Sequence, residues 1–233
     1  MTEKYTAIEI LRKKALPSTL LRLERVLDQR TRRLTVVLED LSDSRNSGAI
    51  IRTCECLGLQ EVHVVINRNP YRARSQVLRG AANWLEVHKH VSSGSTASLP
   101  CLRQLRSRGF CIAATTLRSD LTAIHPQAVP VDRPVALCFG LEQRGLSDAV
   151  HEFADLHVQI PMRGFTQSLN VACSAAICIH DVLERVHAGE VDWRLGPDDR
   201  ERILLGWLKR KVRHADRLLL DAGHETGAGR DAE

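Results

Sequence analysis

Neither of the common glycine-rich phosphate loops occurs in this sequence: there is no G-x-x-x-x-G-K-[ST], and no G-x-G-x-x-G follows a strand. P-loop nucleotide hydrolysis and Rossmann-type dinucleotide binding are excluded on that ground. H-E-x-x-H is also absent and the histidine pairs lack metal-ligand spacing, so no metal is expected. No Cys-x-x-Cys pair occurs. The seven cysteines are odd in number and scattered, and they read as small core residues in a reducing compartment rather than as disulfides or zinc ligands. No apolar run approaches the roughly 18–20 residues of a membrane span. Met1-Thr2-Glu3-Lys4 lacks the basic-then-apolar opening of a signal peptide. A cytoplasmic protein with no membrane partner is expected.

What is present is basic charge, unevenly placed. The net charge is +5, and residues 1–33 alone hold nine Lys or Arg against four acids. Arg12, Lys13 and Lys14 lie in that segment. A second basic stretch includes Lys209, Arg210, Lys211, Arg213 and Arg217. A third, with Arg68, Arg72, Arg74 and Arg79, contains no acid and includes Tyr71. Each cluster alone is equally a solvated helix face or a phosphate-binding surface; three clusters flanking one core favour a nucleic acid.

The middle of the chain alternates apolar runs with helical stretches. Strands are expected at 34–41, 61–66, 85–91, 111–117, 135–140 and 156–161, with helices at 47–57, 97–108, 146–153 and 168–187. Gly58, Gly109 and Gly189 stand just past three of the helices, where a left-handed cap favours glycine. Alternation of this kind argues for an α/β layered fold with a mostly parallel sheet flanked by helices. Residues 1–33 read as a basic amphipathic helical extension broken near Pro17, and 34–190 as the main domain. Residues 191–222 form a second helical extension, and 223–233 a disordered tail.

Three segments can carry chemistry. In Asn46-Ser-Gly-Ala-Ile-Ile-Arg52, Asn46 stands where a helix N-cap belongs, and Gly48 leaves open space one turn from Arg52. Taken alone, the segment is better explained by a cap plus a surface Arg52 paired with Glu55. In Phe139-Gly-Leu-Glu142-Gln-Arg-Gly145-Leu-Ser147, a strand runs out into a loop, where α/β proteins place ligands. Glu142 there is either a ligand group or a solvated acid in a tight turn. In Ile160-Pro-Met-Arg-Gly164-Phe-Thr-Gln-Ser168-Leu-Asn170-Val, Ser168 is a natural N-cap, and Asn170 needs a polar partner if buried.

Together, in this order and at these separations, the three segments resemble the motifs of the SpoU/TrmH family of SPOUT methyltransferases, over roughly residues 34–184. The resemblance implies a C-terminal deep trefoil knot, a homodimer, and S-adenosyl-L-methionine as cofactor. It implies transfer of a methyl group to an RNA ribose 2′-oxygen. Within the family, the length and basic flanks are most similar to the branch acting on a D-loop guanosine of tRNA; rRNA methylation, or RNA binding without catalysis on the same scaffold, are the alternatives. Carried over, Thr115, Gly140, Ile160 and Leu169 bind the cofactor, with Ser168 and Asn170 nearby. Arg52 is the catalytic arginine, held by Asn46 and close to Glu142. Two positions depart from the pattern: Ser44 stands where the family often has proline, and Ala172 where serine is common.

Overall fold

The structure, a computed structural model, describes residues 6–68, 80–91 and 97–224. Tyr71, Arg72, Arg74 and Arg79 of the third basic cluster lie outside the described residues, as does the expected tail beyond His224. The chain forms two compact units, one of Thr31–Trp193 and one of Met1–Arg30 with Arg194–Glu233.

The larger unit is built on seven parallel strands: β1 Leu34–Glu39, β2 Glu61–Ile66, β3 Glu86–Val91, β4 Cys111–Thr115, β5 Ala123–Ile124, β6 Val135–Phe139 and β7 Leu156–Val158. Their order is β3-β2-β1-β6-β4-β7-β5. The central strands β1 and β6 are buried at every position because both faces are covered. Side chains alternate between the faces. Leu34, Val36, Leu38, Val135, Leu137 and Phe139 pack on one side. That side is covered by α3 (Ser44–Cys56) and α6 (Val171–Ala188). Val37, Ala136, Cys138, Ile112 and Ala114 pack on the other, beneath α4 (Ser98–Ser107) and α5 (Asp148–Phe153).

Strand β6 lies between β1 and β4, so the direction of strand addition reverses there. At such a switch point the loops leaving the carboxyl ends of neighbouring strands diverge and open a crevice.

The smaller unit comprises α1 (Ala7–Lys14), α2 (Pro17–Leu27), α7 (Pro197–Lys211) and α8 (Ala215–Asp221). Thr6 and Glu9 form a capping box on α1, and Pro17 occupies the first turn of α2, which explains the break between them. Leu11, Leu23, Leu27, Leu204, Trp207 and Leu208 are buried. The second helical extension contains two helices, separated at His214, whose φ of 56° lies in the left-handed region.

Local corrections follow from capping chemistry. Helix α3 starts at Ser44 because the Asp43 carboxylate accepts the Arg45 N–H at 2.8 Å; Asn46 is inside the first turn and is not the cap. Helix α6 is capped by Asn170 rather than Ser168. Gly58 and Gly109 adopt the expected left-handed φ, 88° and 87°. Gly189, at φ −76°, does not.

Candidate active site

A cleft of about 560 Å³ opens at the carboxyl ends of β4, β6 and β7 and is closed on one side by the start of α6. Its volume falls in the usual range for small-molecule sites. Thr115, Gly140, Ile160 and Leu169 all line it, together with Glu142, Ser168 and Asn170. Phe139, Val158 and Met162 add apolar wall. Thr115 donates its hydroxyl to the Cys138 carbonyl at 2.8 Å, tying β4 to β6 at the cleft floor.

The loop leaving β6 doubles back on itself. Gly145 donates its N–H to the Leu141 carbonyl at 2.7 Å and takes a left-handed φ of 70°. That path brings the 145–146 peptide against Gly140: a Cβ there would lie 2.2 Å from the Gly145 carbonyl carbon. Only glycine can occupy position 140 without moving backbone.

The far end of the loop is pinned by Glu39, a residue to which none of the three motif segments points. Its buried carboxylate accepts the N–H and the hydroxyl of Ser147, each at 2.8 Å, and also the Ser98 hydroxyl. An acid ending a mostly apolar strand is the available signal, since a buried carboxylate must be paired.

Three residues from three separate segments meet at the mouth of the cleft. The Asn170 side-chain carbonyl accepts the N–H of Ala172 at 2.8 Å and caps α6, which leaves its amide to donate. That amide donates to the Asn46 carbonyl oxygen at 3.1 Å, and Asn46 in turn donates to Glu142 Oε1 at 2.8 Å. Ser42 donates to the other Glu142 oxygen at 3.1 Å. A carboxylate only accepts and a helix N-terminus only donates, so both amide orientations are dictated from the two ends of the chain of bonds.

Arg52 is not part of this set. Six positions along α3 place it about 120° around the axis from Asn46. It is exposed, in a groove with Ala49, Thr53, Ile177 and Asp181. It bonds neither Asn46 nor Glu142, nor Glu55, and makes no ion pair among the described residues.

Arg118 and His151 belong to the cleft wall and were not anticipated. Arg118 pairs with Asp120 and Asp148, each at 2.6 Å. His151 is buried, and its Nδ1 has no hydrogen-bond partner among the described residues. Burial, aided by His157 and Arg118, pushes its pKa below the ordinary value.

The basic residues are placed as follows. Lys13, Lys14, Arg210 and Lys211 are exposed in the smaller unit. Arg12 pairs with Glu24 at 2.7 Å, and Lys209 lies 3.5 Å from Asp216. Arg68 is exposed in the larger unit, its N–H held by the Asp40 carboxylate at 3.0 Å. Arg72 and Arg74 lie outside the described residues.

Residues 33–180 match the SpoU rRNA Methylase family. A tRNA (guanosine(18)-2′-O)-methyltransferase of Borreliella burgdorferi is 35% identical over 193 residues, covering 83% of this chain and 85% of that protein. Among solved structures, the TrmH/SpoU tRNA modifying enzyme of A. aeolicus superposes with a TM-score of 0.72 at 27% identity, covering 87% of this chain and 98% of that one. The SpoU methyltransferase AviRb of Streptomyces viridochromogenes, solved with the cofactor AdoMet, shares the fold with a TM-score of 0.56 at 23% identity, over 71% of this chain and 62% of that one.

Proposed function

The chain belongs to the SpoU rRNA methylase family, and from that premise we propose that it transfers the methyl group of S-adenosylmethionine to the ribose 2′-oxygen of a tRNA D-loop guanosine. The observation that carries this reading is the meeting of Asn46, Glu142 and Asn170 at the mouth of the cleft. Three distant segments supply one hydrogen-bonded set beside a pocket of cofactor size. The cleft suits the methyl donor: apolar walls at Phe139, Val158, Ile160 and Leu169 for an adenine ring, and the Glu142 carboxylate at the rim for a cationic sulfonium.

When bound, the sulfonium supplies an activated methyl group. The chain's own task is to hold the ribose hydroxyl in line and to stabilise charge as its proton leaves. Guanidinium is not deprotonated in proteins, so Arg52 is a poor literal base. Its role in this reading is bidentate grip on the neighbouring phosphate and stabilisation of the developing alkoxide, with phosphate or water taking the proton. An Arg52 without a partner among the described residues has its five donors available for that grip.

A homodimer belongs to the same reading. The groove beside Arg52 presents Ile177 at 39% exposure, a large apolar side chain that a second copy of the chain would cover. The deep knot is likewise part of it, carried by membership of the family. No helix among the described residues is long and apolar enough to cross a membrane, and a cytoplasmic location fits both tRNA and the seven free cysteines.

The deciding experiment incubates the purified protein with radiolabelled S-adenosylmethionine and unmodified tRNA or rRNA transcripts, with Arg52→Ala in parallel. Label should enter tRNA as an alkali-resistant 2′-O-methyl dinucleotide. The variant should lose about 100- to 1,000-fold in rate, as for removal of one transition-state donor, with its melting temperature unchanged. Label in rRNA alone keeps the chemistry and moves the substrate, an arm warranted by the family's own description. No transfer to either and no cofactor binding would leave an RNA-binding scaffold as the better account.

A further inference from the structure

At the outer edge of the sheet, outside the three motif segments, strand register assembles a cluster that chain spacing conceals. Strands β2 and β3 pair in parallel with Glu61 opposite Glu86 and His63 opposite His88. Period-two alternation then puts Glu61, His63, Glu86, His88 and His90 on one face, under α4. The rings of His63 and His88 stack at 4.8 Å between centroids.

We propose that Glu61, His63 and His88 form a binding site for a first-row transition-metal dication of the Zn²⁺ class. One ligand atom from each residue lies within 4.8 Å of those of the other two. Nε2 of His63 is 4.0 Å from Glu61 Oε1, and Nε2 of His88 is 3.8 Å from Glu61 Oε2. These separations are too long for hydrogen bonds. They are about half an ångström wider than two ligands around a tetrahedral zinc with bonds near 2.0–2.1 Å, a gap that side-chain rotation closes.

Both Nε2 atoms are buried without a hydrogen-bond partner among the described residues. The His63 side chain is only 2% exposed, so an unpaired nitrogen there is costly unless something else engages it. The remaining nitrogen of that ring is accounted for: His63 Nδ1 lies 3.0 Å from His90 Nε2. With the proton on Nδ1 donated to His90, the His63 Nε2 lone pair faces the Glu61 carboxylate, an arrangement that a cation between them turns from repulsive to favourable. His90 is then the outer-shell partner that orients a ligating imidazole.

Arg32 and Arg108 each bond Glu61 at 2.7 Å, which keeps the carboxylate charged and in place while leaving lone pairs for coordination. The His88 side chain is 43% exposed although its Nε2 is buried, so a rotation of that ring opens the site to solvent, from which water or a small anion completes the shell. Two imidazoles and one carboxylate select borderline ions over Mg²⁺ or Ca²⁺, which prefer all-oxygen shells. His63 also touches a second grouping through His90 and Cys101. The three-residue site is preferred because it is the one that uses the unpaired nitrogens.

The inference is independent of methyl transfer, and its test reads metal alone. After dialysis against a chelator, the full-length protein is titrated calorimetrically with Zn²⁺, with excess Mg²⁺ as competitor. One Zn²⁺ per chain is expected, undisturbed by Mg²⁺. His88→Ala, which removes a half-exposed side chain and should fold as judged by circular dichroism, should weaken binding by more than the roughly 10- to 100-fold that losing an outer-shell partner costs. Cys101→Ala should bind as the parent does, and the Co²⁺-loaded protein should show no thiolate charge-transfer band. Absence of Zn²⁺ binding, unchanged affinity in His88→Ala, or a thiolate band lost in Cys101→Ala would each overturn the site as drawn.

Discussion

At the scale of single residues, the cleft depends on positions whose chemistry has few substitutes. Gly140 is the sharpest case, because the Cβ of any other residue would meet the 145–146 backbone at 2.2–2.3 Å. Backbone cannot rotate aside as a side chain can, so Gly140→Ala should cost about 1–3 kcal/mol and abolish calorimetric binding of S-adenosylmethionine. A variant that melts and binds like the parent would show that the loop has another path. His151 offers a pH test. Its pKa is lowered in the fold, chiefly by burial, from an ordinary value of 6.5. Below about pH 6.5 the unfolded chain therefore binds a proton that the folded chain refuses. The contribution to stability is fully present above that pH and is lost as pH falls from it through the lowered folded-state pKa. The urea midpoint should drop between about pH 7.5 and 5.5, and by less in His151→Asn. Equal drops would mean that the folded protein protonates His151 as readily as the unfolded chain does.

At the scale of elements, Glu39 joins the end of β1 to the first turn of α4 and the entrance of α5. Glu39→Ala would strand the Ser147 N–H and two hydroxyls, at about 1–3 kcal/mol for each buried group left unpaired. A lower denaturation midpoint together with weaker cofactor binding is expected, since Ser147 closes the loop that forms the cleft wall. Lost stability with unchanged cofactor affinity would make Glu39 a purely structural anchor. How much of this was legible in the sequence follows the same physics. Strand β2, rich in β-branched residues at Val62, Val64, Val65 and Ile66, was expected at 61–66 and is found there. Two-residue β5 was missed because so short an edge strand has no periodicity to detect. The three motif segments were visible, whereas the helix starts near them were misplaced. Asn46 and Ser168 both have cap chemistry, but Asp43 and Asn170 hold the caps, and the backbone path that decides between such residues is set by tertiary packing. The histidine cluster was unreadable for another reason: its members are brought together by the register of β2 on β3, and no spacing along the chain encodes a register.

At the scale of the whole molecule, positive charge is concentrated on the terminal helices. The cleft mouth carries carboxylate and amide groups, while the first 33 residues hold an excess of five positive charges and the last turn of α7 is Lys209-Arg210-Lys211. A ribose oxygen is the same in every nucleotide, so choosing one RNA must draw on interactions spread over a larger surface, and phosphates are the most accessible part of a folded RNA. Lys13, Lys14, Arg210 and Lys211 are exposed at the ends of two helices and are the positions to replace. With all four changed to alanine, the plot of log affinity for tRNA against log salt should flatten by about 0.7–0.9 for each phosphate that is no longer neutralised. KM for tRNA should rise, and kcat at saturating RNA should stay near the parent value, because none of the four lines the cleft. An unchanged salt slope would remove the two basic helix ends from the RNA interface and shift that role to Arg68 and the segment that follows it.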